Sequence, residues 1–423
     1  MRSMLSVILV LTLAVSGALS VSASRGEDAV PADPPLRWWK GNLHTHTLWS
    51  DGDHFPEMAG EWYRTHGYNF LALSDHNVLS QGMRWMKVGQ IESRGGGEAL
   101  PKYRARFGDH WVETRGEGED LEVRLKPLDE FRYVLEERGR FIMIPSEEIS
   151  DRAEGKPVHM NVTNVAEVIE PLGGETVREA IANNFRSVEE QAARLGREML
   201  LHLNHPNFGW AITPEDLAHV TGEKFFEVYN GHPGVNHLGD AERPSVERFW
   251  DLANVLRLAV LNAEPLMGIA TDDTHDYHGN GGSRMGRGWV MVHARFLTPE
   301  HLIRAIKRGD FYASSGVTLQ SVEYDAESKT LTVEIDPVDG ETYRTEFIAS
   351  LAPEAGQEVA PEKIGATLAS SDALRSSYTL TGNELYVRAV VTSSAAADDP
   401  SFEGQKKQAW TQPVGWKLKK SAE

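Results

Sequence analysis

Short apolar runs alternate with polar, helix-like stretches over the first three quarters of the chain. The apolar runs predict strands near residues 38–43, 69–73, 141–144, 158–165, 199–203, 225–229, 266–270 and 289–293. Capping signatures predict helices that open at Ser187, Thr213 and Thr298, the first ending at Gly196 and the third at Gly309. Nearly continuous apolar strands that alternate with helices favour a parallel sheet covered by helices. Seven or eight such units favour a (β/α) barrel over an open sheet.

Two stretches depart from this pattern. Residues 81–126 are rich in Gly, Arg and Glu and include Trp85, Tyr103 and Trp111, which predicts an insertion after the second strand. We expect this insertion to be either a lid or rim over a site or a plain surface excursion. Beyond Gly316, alternating segments such as 331–335 and 385–391 predict a small all-β C-terminal domain over residues 317–423. The barrel is therefore expected to occupy residues 36–316.

The N-terminal residues have the order of a secretory signal peptide. Arg2 precedes an apolar stretch over residues 4–19, and small residues follow at 21–23. Cleavage is expected near Ala23, with Ser24 and Ala29 as alternative sites. An uncleaved anchor is the other interpretation, although the stretch is short for a spanning helix. Residues 24–35 then predict a Pro-rich linker. No second apolar run of spanning length follows, so we expect a protein exported to the periplasm or cell exterior, without a membrane span after cleavage.

The amino-acid composition limits the kinds of partner and catalytic group that this protein can use. The 423 residues include 43 Lys and Arg against 62 Asp and Glu, and the formal net charge of −19 argues against a nucleic acid or an anionic membrane as partner. The chain has no cysteine, which excludes disulfides, thiolate metal ligands and cysteine nucleophiles. It has 16 histidines, all at or before His301. The first three quarters of the chain therefore carry a function that uses imidazole.

Residue types that bind metals follow nearly every predicted strand. In a β/α barrel the carboxyl ends of the strands meet at one mouth, where such side chains would converge. The candidate metal ligands are His44, His46, Asp51, His76, Glu148, His159, His205, Asp273 and His275. Imidazole together with carboxylate suits Zn²⁺, Mn²⁺ or Fe²⁺. The set exceeds what one ion can coordinate, which predicts a centre of two or three ions. Either Glu147 or Glu148 could be the bridging carboxylate.

Together, these motifs resemble those of the PHP (polymerase and histidinol phosphatase) family of metal-dependent phosphoesterases. The resemblance covers about residues 36–316. It rests on NLHTH at 42–46 with SDG at 50–52, LSDHN at 73–77, IPSEEIS at 144–150, NHP at 204–206 and TDDTH at 271–275. It implies a distorted (β/α)7 barrel and a site that holds up to three divalent ions, commonly Zn, Mn or Fe.

The resemblance also implies which residues hold each ion. The first ion would take His44, His46, Glu148 and Asp273. The second, bridged through Glu148, would take His159 and His205, and the third would take Asp51, His76 and His275. Glu148 is preferred over Glu147 because the family's Glu precedes a hydrophobic residue and Ser or Thr, as here. Asp51 stands where some members carry His, which implies a weaker third site or a harder ion. Asp75 and Asp272 are expected to orient imidazoles.

The expected activity is hydrolysis of phosphate mono- or diesters by a hydroxide that bridges the ions. The expected catalytic residues are Glu148, Asp273 and His275. Arg284 and Arg287, in the Gly-rich segment 279–288, are candidates to hold phosphate charge, and His232 and His278 are further substrate-binding candidates near the rim. Each of these four could instead be a surface residue in solvent. A small phosphorylated substrate is expected, and the oligomeric state stays open.

Two other interpretations stay open. An amidohydrolase-type barrel also begins with His-x-His and ends with Asp, but it usually carries a bridging lysine after the fourth strand, where this chain has His159. An exported protein could instead use metals structurally while its β domain contacts glycan or the cell envelope. Structural sites are usually closed by four ligands, whereas this ligand set is open and rich in oxygen.

Overall fold

The computed structural model describes residues 33–353 and 357–419. The predicted signal peptide and almost all of the predicted linker lie outside the described residues. The strands are β1 (Arg37–Asn42), β2 (Phe70–Leu73), β3 (Arg84–Lys87), β4 (Thr114–Arg115), β5 (Glu122–Leu125), β6 (Ile142–Ala153), β7 (Lys156–Thr163), β8 (Leu200–Leu203), β9 (Phe225–Asn230), β10 (Met267–Thr271), β11 (Trp289–Ala294), β12 (Phe311–Ser314), β13 (Leu319–Asp325), β14 (Thr330–Ile335), β15 (Tyr343–Leu351), β16 (Ala366–Ser371), β17 (Arg375–Thr379), β18 (Glu384–Ala396) and β19 (Lys406–Thr411). The α-helices are α1 (Pro56–Thr65), α2 (Val88–Gly95), α3 (Ala99–Phe107), α4 (Leu128–Leu135), α5 (Val177–Leu195), α6 (Pro214–His219), α7 (Val246–Val255) and α8 (Pro299–Lys307).

All eight strands that the apolar runs predict are present, as β1, β2, β6, β7, β8, β9, β10 and β11. Most of their ends lie within one or two residues of the prediction, whereas β6 continues to Ala153. Every residue of β2, β8, β9 and β10 is buried, which explains their continuous apolar character. The fold is therefore mixed α/β around a large sheet, as predicted.

The prediction of an all-parallel sheet is wrong at two strands. β1, β2 and β6 run parallel to one another, as do β8, β9 and β10, but β7 is antiparallel to both β6 and β8. β11 is antiparallel to β1. The reversal at β7 has a local cause: Glu154 and Gly155 have φ of 53° and 76°, the backbone of a tight two-residue hairpin. The glutamates predicted to end the third strand therefore lie inside a long hairpin.

A closed barrel is not confirmed, because the described strands form no closed hydrogen-bonded ring. The main sheet has the order β10-β9-β8-β7-β6-β2-β1-β11-β12-β19-β18-β15-β16, with β10 at one edge. β10 meets β1 only where the two strands end. There Thr45 and Thr274 form an isolated bridge, and the His46 N–H donates to the Thr274 carbonyl at 2.9 Å. This contact brings two ligand-bearing loops side by side.

Apolar packing closes the opposite ends of the same strands. One core cluster gathers residues at the amino ends of β2, β8, β9 and β10 together with side chains of α8; its members include Phe70, Leu200, Phe225, Met267 and Leu302. Burying each such side chain contributes about 1.5–3 kcal/mol. The amino ends of the strands thus supply stability, and the carboxyl ends are left for polar groups.

The helices agree with the capping signatures except at one start. α6 begins after Thr213 with a complete capping box, and α8 begins after Thr298. The predicted start at Ser187 is wrong, since α5 begins eleven residues earlier and is capped by Thr176, whose hydroxyl accepts from the Glu179 N–H. No Pro or Gly interrupts residues 177–187, so the helix begins at the earlier cap. Among the described helices, none is long and apolar enough to cross a membrane.

The predicted insertion is a folded subdomain. It contains the three-stranded sheet β3-β5-β4 with α2 and α3. Its apolar residues pack on Leu48, Trp49 and Phe55, which belong to the loop after β1. The insertion therefore lies against the loop that carries the first candidate ligands.

Strands are the main regular elements among the described residues after Gly316. β13, β14 and β17 form a separate sheet, whereas β19, β18, β15 and β16 extend the main sheet beyond β12. α7 packs on β15 and connects to β18 through a buried ion pair between Asp251 and Arg388, with Nη2 and Oδ2 2.9 Å apart. The sheet thus runs continuously from the first strands into the C-terminal residues.

Candidate metal centre

All nine predicted metal ligands lie together where β1, β2, β8 and β10 end and where the β6–β7 hairpin passes. The local backbone accounts for two of the placements. Gly52 lets its loop fold back on His46, because a Cβ at this position would lie 2.6 Å from the His46 carbonyl carbon. Asp273 has a φ of 51°, a left-handed conformation that Asp tolerates better than most residues and that turns the chain out of β10.

Glu148 lies among five imidazoles. Its carboxylate oxygens are 2.6 Å from His76 Nδ1, 3.0 Å from His159 Nδ1, 3.4 Å from His46 Nε2, 3.5 Å from His44 Nε2 and 3.7 Å from His205 Nε2. The side chain is 1% exposed. Glu147 points the other way, as alternation along a strand requires, and accepts from the Ile169 N–H at 2.9 Å. The structure therefore places Glu148, and not Glu147, at the centre of the site.

The ligand atoms fall into three groups in which every atom lies within 4.8 Å of the others. The groups are His44, His46 and Asp273; His76, Glu148 and His159; and His46, Asp51, His76 and His275. They match the implied ion sites except in three respects. Glu148 belongs to the second group and not to the first. His205 lies near Glu148 but outside the second group, where His76 takes its place. His46 joins the third group as well as the first.

The spacing of the donor atoms fits a metal. His44 Nε2 and His46 Nε2 are 3.1 Å apart, and Asp273 Oδ1 is 3.1 and 3.2 Å from them. Two imidazole nitrogens at about 2.0–2.1 Å from a tetrahedral ion lie about 3.3 Å apart. Asp51 Oδ1 and Oδ2 are 3.3 Å from His275 Nε2 and 3.4 Å from His76 Nε2. Both ends of the site thus present nitrogen and carboxylate oxygen toward one point.

The electrostatics of the site call for positive charge. Burial opposes ionisation of Glu148 and Asp273, yet the surrounding histidines hold the pKa of each carboxyl well below its usual value. Burial likewise opposes the charge on His76, but Glu148 and Asp51 outweigh it and raise the pKa of His76 to about 11. Burial and the neighbouring His275 and His76 lower the pKa of His46 to about 3. Buried carboxylates facing imidazoles are the surroundings in which a divalent cation replaces protons.

A carboxylate that the sequence analysis missed orients His44. Glu227 Oε1 lies 2.7 Å from His44 Nδ1, which leaves Nε2 to face the other ligands. Glu227 also accepts from Thr271 Oγ1, Asn230 Nδ2 and the His205 N–H. A ligand imidazole commonly bonds a carboxylate in this way through its other nitrogen. The sequence feature that could have identified Glu227 is its position as a lone glutamate inside the apolar strand β9.

Asp75 and Asp272 act mainly on loops instead of on imidazoles. Asp75 accepts from the Thr47 and Ser50 N–H groups and hydroxyls, and it reaches His46 only through the Ser50 hydroxyl. Asp272 accepts from the Tyr63 hydroxyl and from the N–H groups of residues 286, 287 and 288. Both carboxylates therefore fix the loops that carry ligands.

The two arginines predicted to hold phosphate both pair with Asp399, in the C-terminal part of the chain. Arg287 is 5% exposed; its Nε lies 3.1 Å from Asp399 Oδ2, and its Nη1 donates to the Gly231 and Gly282 carbonyls. Arg284 Nη2 lies 3.0 Å from Asp399 Oδ1, and this side chain is 42% exposed. Arg287 is thus engaged in holding the Gly-rich loop, and only Arg284 keeps an exposed surface.

The two rim histidines occupy different places. The His232 ring centroid is 6.0 Å from that of His275, at the edge of the ligand cluster, and burial lowers the pKa of His232. His278 instead lies beside His54, with tilted rings whose centroids are 4.6 Å apart, and its Nδ1 lies 3.3 Å from Lys102 Nζ in the insertion. Of the two, His232 is the one in contact with the predicted ligands.

No protein-family model and no curated protein matches this chain. Solved structures do. A protein from Bacteroides vulgatus ATCC 8482, described as a two-domain protein containing a predicted PHP-like metal-dependent phosphoesterase, matches with 15% identity and a TM-score of 0.40, over 92% of this chain and 99% of its own. PsfC from Pseudomonas syringae PB-5123 matches with 12% identity and a TM-score of 0.33, over 64% and 88% of the two chains.

A third protein, from Bifidobacterium adolescentis ATCC 15703, is described as a candidate metal-dependent phosphoesterase. It matches with 15% identity and a TM-score of 0.28, over 60% of this chain and 94% of its own. The family that the sequence motifs resemble is thus also named among the structural matches. At TM-scores below 0.5, this likeness assigns neither a fold nor an activity to the chain.

Proposed function

We propose that this protein is an exported metal-dependent phosphoesterase that hydrolyses small phosphate mono- or diesters at a centre of two or three Zn, Mn or Fe ions. The observation that carries the proposal is Glu148, a buried carboxylate within 3.7 Å of five imidazole nitrogens. The proposed first ion is held by His44, His46, Glu148 and Asp273, the second by Glu148, His159 and His205, and the third by Asp51, His76 and His275. Export rests on the pattern of residues 1–23 alone.

The charge of the site supports a phosphate substrate only in the metal-loaded protein. Glu148, Asp273 and Asp51 are carboxylates whose pKa values are held low, so they would repel an anion. Bound divalent ions would supply the missing positive charge and the acidification of water that phosphoester hydrolysis requires. The chain's own part is to fix the ligands: Glu227 holds His44, and the loop bonds of Asp272 hold the segment after Asp273.

The exposed edge of the site indicates where a substrate enters. Asp51 is 53% exposed, whereas His44 and His46 are fully buried. A substrate therefore approaches from the side of Asp51, His76 and His275. His232 and Arg284 remain proposed substrate contacts at this mouth, because both keep exposed surface near it.

Activity assays with matched variants test the proposal. The mature protein, purified without chelator, is assayed with p-nitrophenyl phosphate and bis-p-nitrophenyl phosphate, before and after chelation and with Zn²⁺, Mn²⁺ or Fe²⁺ restored. We expect metal-dependent hydrolysis that Glu148→Gln lowers by about three orders of magnitude, as loss of several kcal/mol of transition-state stabilisation implies. Glu147→Gln is the control, because the carboxylate of Glu147 faces away from the ligand cluster.

Two results would replace the proposal. Hydrolysis of an ester or amide substrate panel without phosphoesterase activity would favour the amidohydrolase-type interpretation. Bound metal without any hydrolysis would favour a structural metal centre in a protein of the cell envelope.

A further inference from the structure

Two arginines of the insertion converge on the loop that carries Asp51. Arg84, on β3, places its guanidinium carbon 5.3 Å from the centroid of the Trp49 ring. Arg94, at the end of α2, donates through Nη1 to the Ser50 carbonyl. Trp49 and Ser50 directly precede Asp51 in the chain. The insertion thus places two cations on the two residues that directly precede Asp51, an exposed candidate ligand.

Arg84 keeps its hydrogen-bond donors free. Within the described residues its side chain makes no hydrogen bond and no ion pair, and its guanidinium lies over the ring of Trp49. The acid with the largest effect on its charge is Asp75, whose oxygens already accept from Thr47 and Ser50. Other arginines of the insertion are neutralised: Arg115 Nε lies 2.5 Å from Glu122 Oε2, and Arg124 lies between Glu113 and Glu130.

The two guanidinium groups also repel each other. Burial lowers the pKa of Arg84, and the nearby charge of Arg94 lowers it further. An oxyanion near both groups would relieve this repulsion and accept the free donors of Arg84. The planar guanidinium fork is well suited to phosphate and carboxylate oxygens.

We propose that Arg84 and Arg94 form an oxyanion-binding site beside Asp51, which holds a phosphate oxygen or a second anionic group of the substrate. This inference rests on the proposed function, because it assigns a substrate contact to the same mouth. Arg84 supplies the directional hydrogen bonds, with its guanidinium braced on Trp49. Arg94 supplies charge at the rim. The insertion then acts as a specificity element and not as a plain surface excursion.

Binding of inorganic phosphate tests the site without turnover. Isothermal titration is carried out on the metal-loaded and the chelator-treated protein, for the wild type, Arg84→Gln, Arg94→Gln and Arg115→Gln. Arg115 is the matched control, since it lies in the same small sheet and stacks on Trp85 at 4.4 Å but has a carboxylate partner. We expect Arg84→Gln to weaken phosphate binding about tenfold or more, Arg94→Gln to weaken it less, and Arg115→Gln to leave it unchanged.

The two protein forms distinguish the source of the oxyanion. If the arginines hold a phosphate that the ions also hold, chelation abolishes binding. If they hold a separate anionic group, chelated wild-type protein retains weak binding that Arg84→Gln lowers. Two results would overturn the inference. In the first, the phosphate Kd of Arg84→Gln stays within about twofold of the wild type in every form that binds phosphate. In the second, neither form of the wild-type protein binds phosphate. Circular dichroism of each variant confirms that it is folded, and Arg84→Lys, which retains charge without the fork, should bind with intermediate strength.

The same titration separates this inference from the proposed function. A protein that binds phosphate through Arg84 but hydrolyses no phosphoester would contradict the activity and keep the anion site. A protein that hydrolyses phosphoesters with the same phosphate Kd and KM in Arg84→Gln would keep the activity and lose the anion site.

Discussion

Two buried clusters of charge in this protein have opposite designs. In the Asp251 cluster, between α7 and β18, Asp251 accepts from Tyr386 at 2.6 Å and from Arg388 Nε and Nη2 at 3.1 and 2.9 Å. Arg388 also stacks on Trp250, with 4.6 Å from its guanidinium carbon to the ring centroid. In the metal-centre cluster, every described ion-pair partner of Glu148, Asp273 and Asp51 is an imidazole.

The difference lies in what neutralises the carboxylates. An arginine is always protonated, so the Asp251 cluster is complete within the chain. Burial opposes the charge of Arg388, but Asp251 outweighs it and holds the pKa of Arg388 above its usual value. Histidines carry charge only when protonated, so the metal-centre cluster can exchange protons for metal ions. A buried carboxylate that an arginine neutralises indicates a structural role. A buried carboxylate whose partners are histidines indicates a site for a cation.

The largest expected effect is on stability, and it comes from breaking the Asp251 cluster. Asp251→Asn leaves Arg388 buried with only a distant partner, Glu247, at 3.5 Å. The free energy of unfolding should fall by about 3–5 kcal/mol, as for other broken buried pairs. Urea denaturation of the metal-loaded and the chelated protein measures it. Equal losses in both forms are expected, and a loss confined to the metal-loaded form would mean that the two clusters are coupled.

Removing metal is the corresponding change at the other cluster. If ions bind the folded protein alone, saturating metal at a thousand times Kd adds about 4 kcal/mol to stability. Chelation should therefore lower the melting temperature of the wild type, and restoring Zn²⁺ or Mn²⁺ should recover it. Glu148→Gln should show a much smaller shift, whereas Glu147→Gln should respond as the wild type does. A melting temperature that metal does not change in any variant would contradict the contrast.

Glu227→Gln tests the carboxylate that orients His44. The variant retains an oxygen near His44 Nδ1 but loses the negative charge, and mutations of such outer partners lower metal affinity by about 10–100-fold. Competition with a metal-binding dye measures the affinity of the tightest site. The control is Glu223→Gln, which changes a buried glutamate on the loop before β9 without touching a predicted ligand. Unchanged affinity in Glu227→Gln would mean that the negative charge of Glu227 does not contribute to metal binding.

The smallest expected effect concerns the contact between the C-terminal residues and the Gly-rich loop. Asp399 is 30% exposed, so Asp399→Asn should cost about 1 kcal/mol of stability. If the pair only holds the loop, KM for a phosphate ester should stay within about twofold of the wild type. A much lower KM would instead show that Asp399 competes with substrate for Arg284.

The sequence predicted the strands and the residues that cluster at the candidate site better than it predicted the topology. Period and composition locate β2 and β9 because a buried strand is apolar throughout. His44 follows from ligand chemistry, whereas the choice of Glu148 over Glu147 came from the family resemblance. The reversal at Glu154 and Gly155 was missed because a hairpin turn of two residues leaves no mark on the apolar runs. Glu227 was missed because its role depends on the strand beside it, which only the folded chain brings near.

Some placements could not follow from sequence for a physical reason. Arg287 and Asp399 are 112 residues apart, and their pairing depends on how the C-terminal strands extend the sheet. Arg84 likewise lies over Trp49, two residues before Asp51, only because the insertion folds back on this loop. The sequence shows which residues are arginines, but only the fold shows whether an arginine side chain has a carboxylate partner.

Metal content of the intact, mature protein tests the central claim most directly. Elemental analysis of wild-type protein purified without chelator should find two to three equivalents of Zn, Mn or Fe. Glu148→Gln should lose at least one equivalent, while Glu147→Gln and Asp251→Asn should retain the wild-type content. No bound metal in the wild type after reconstitution, or full occupancy in Glu148→Gln, would contradict the assignment of this cluster as a metal centre.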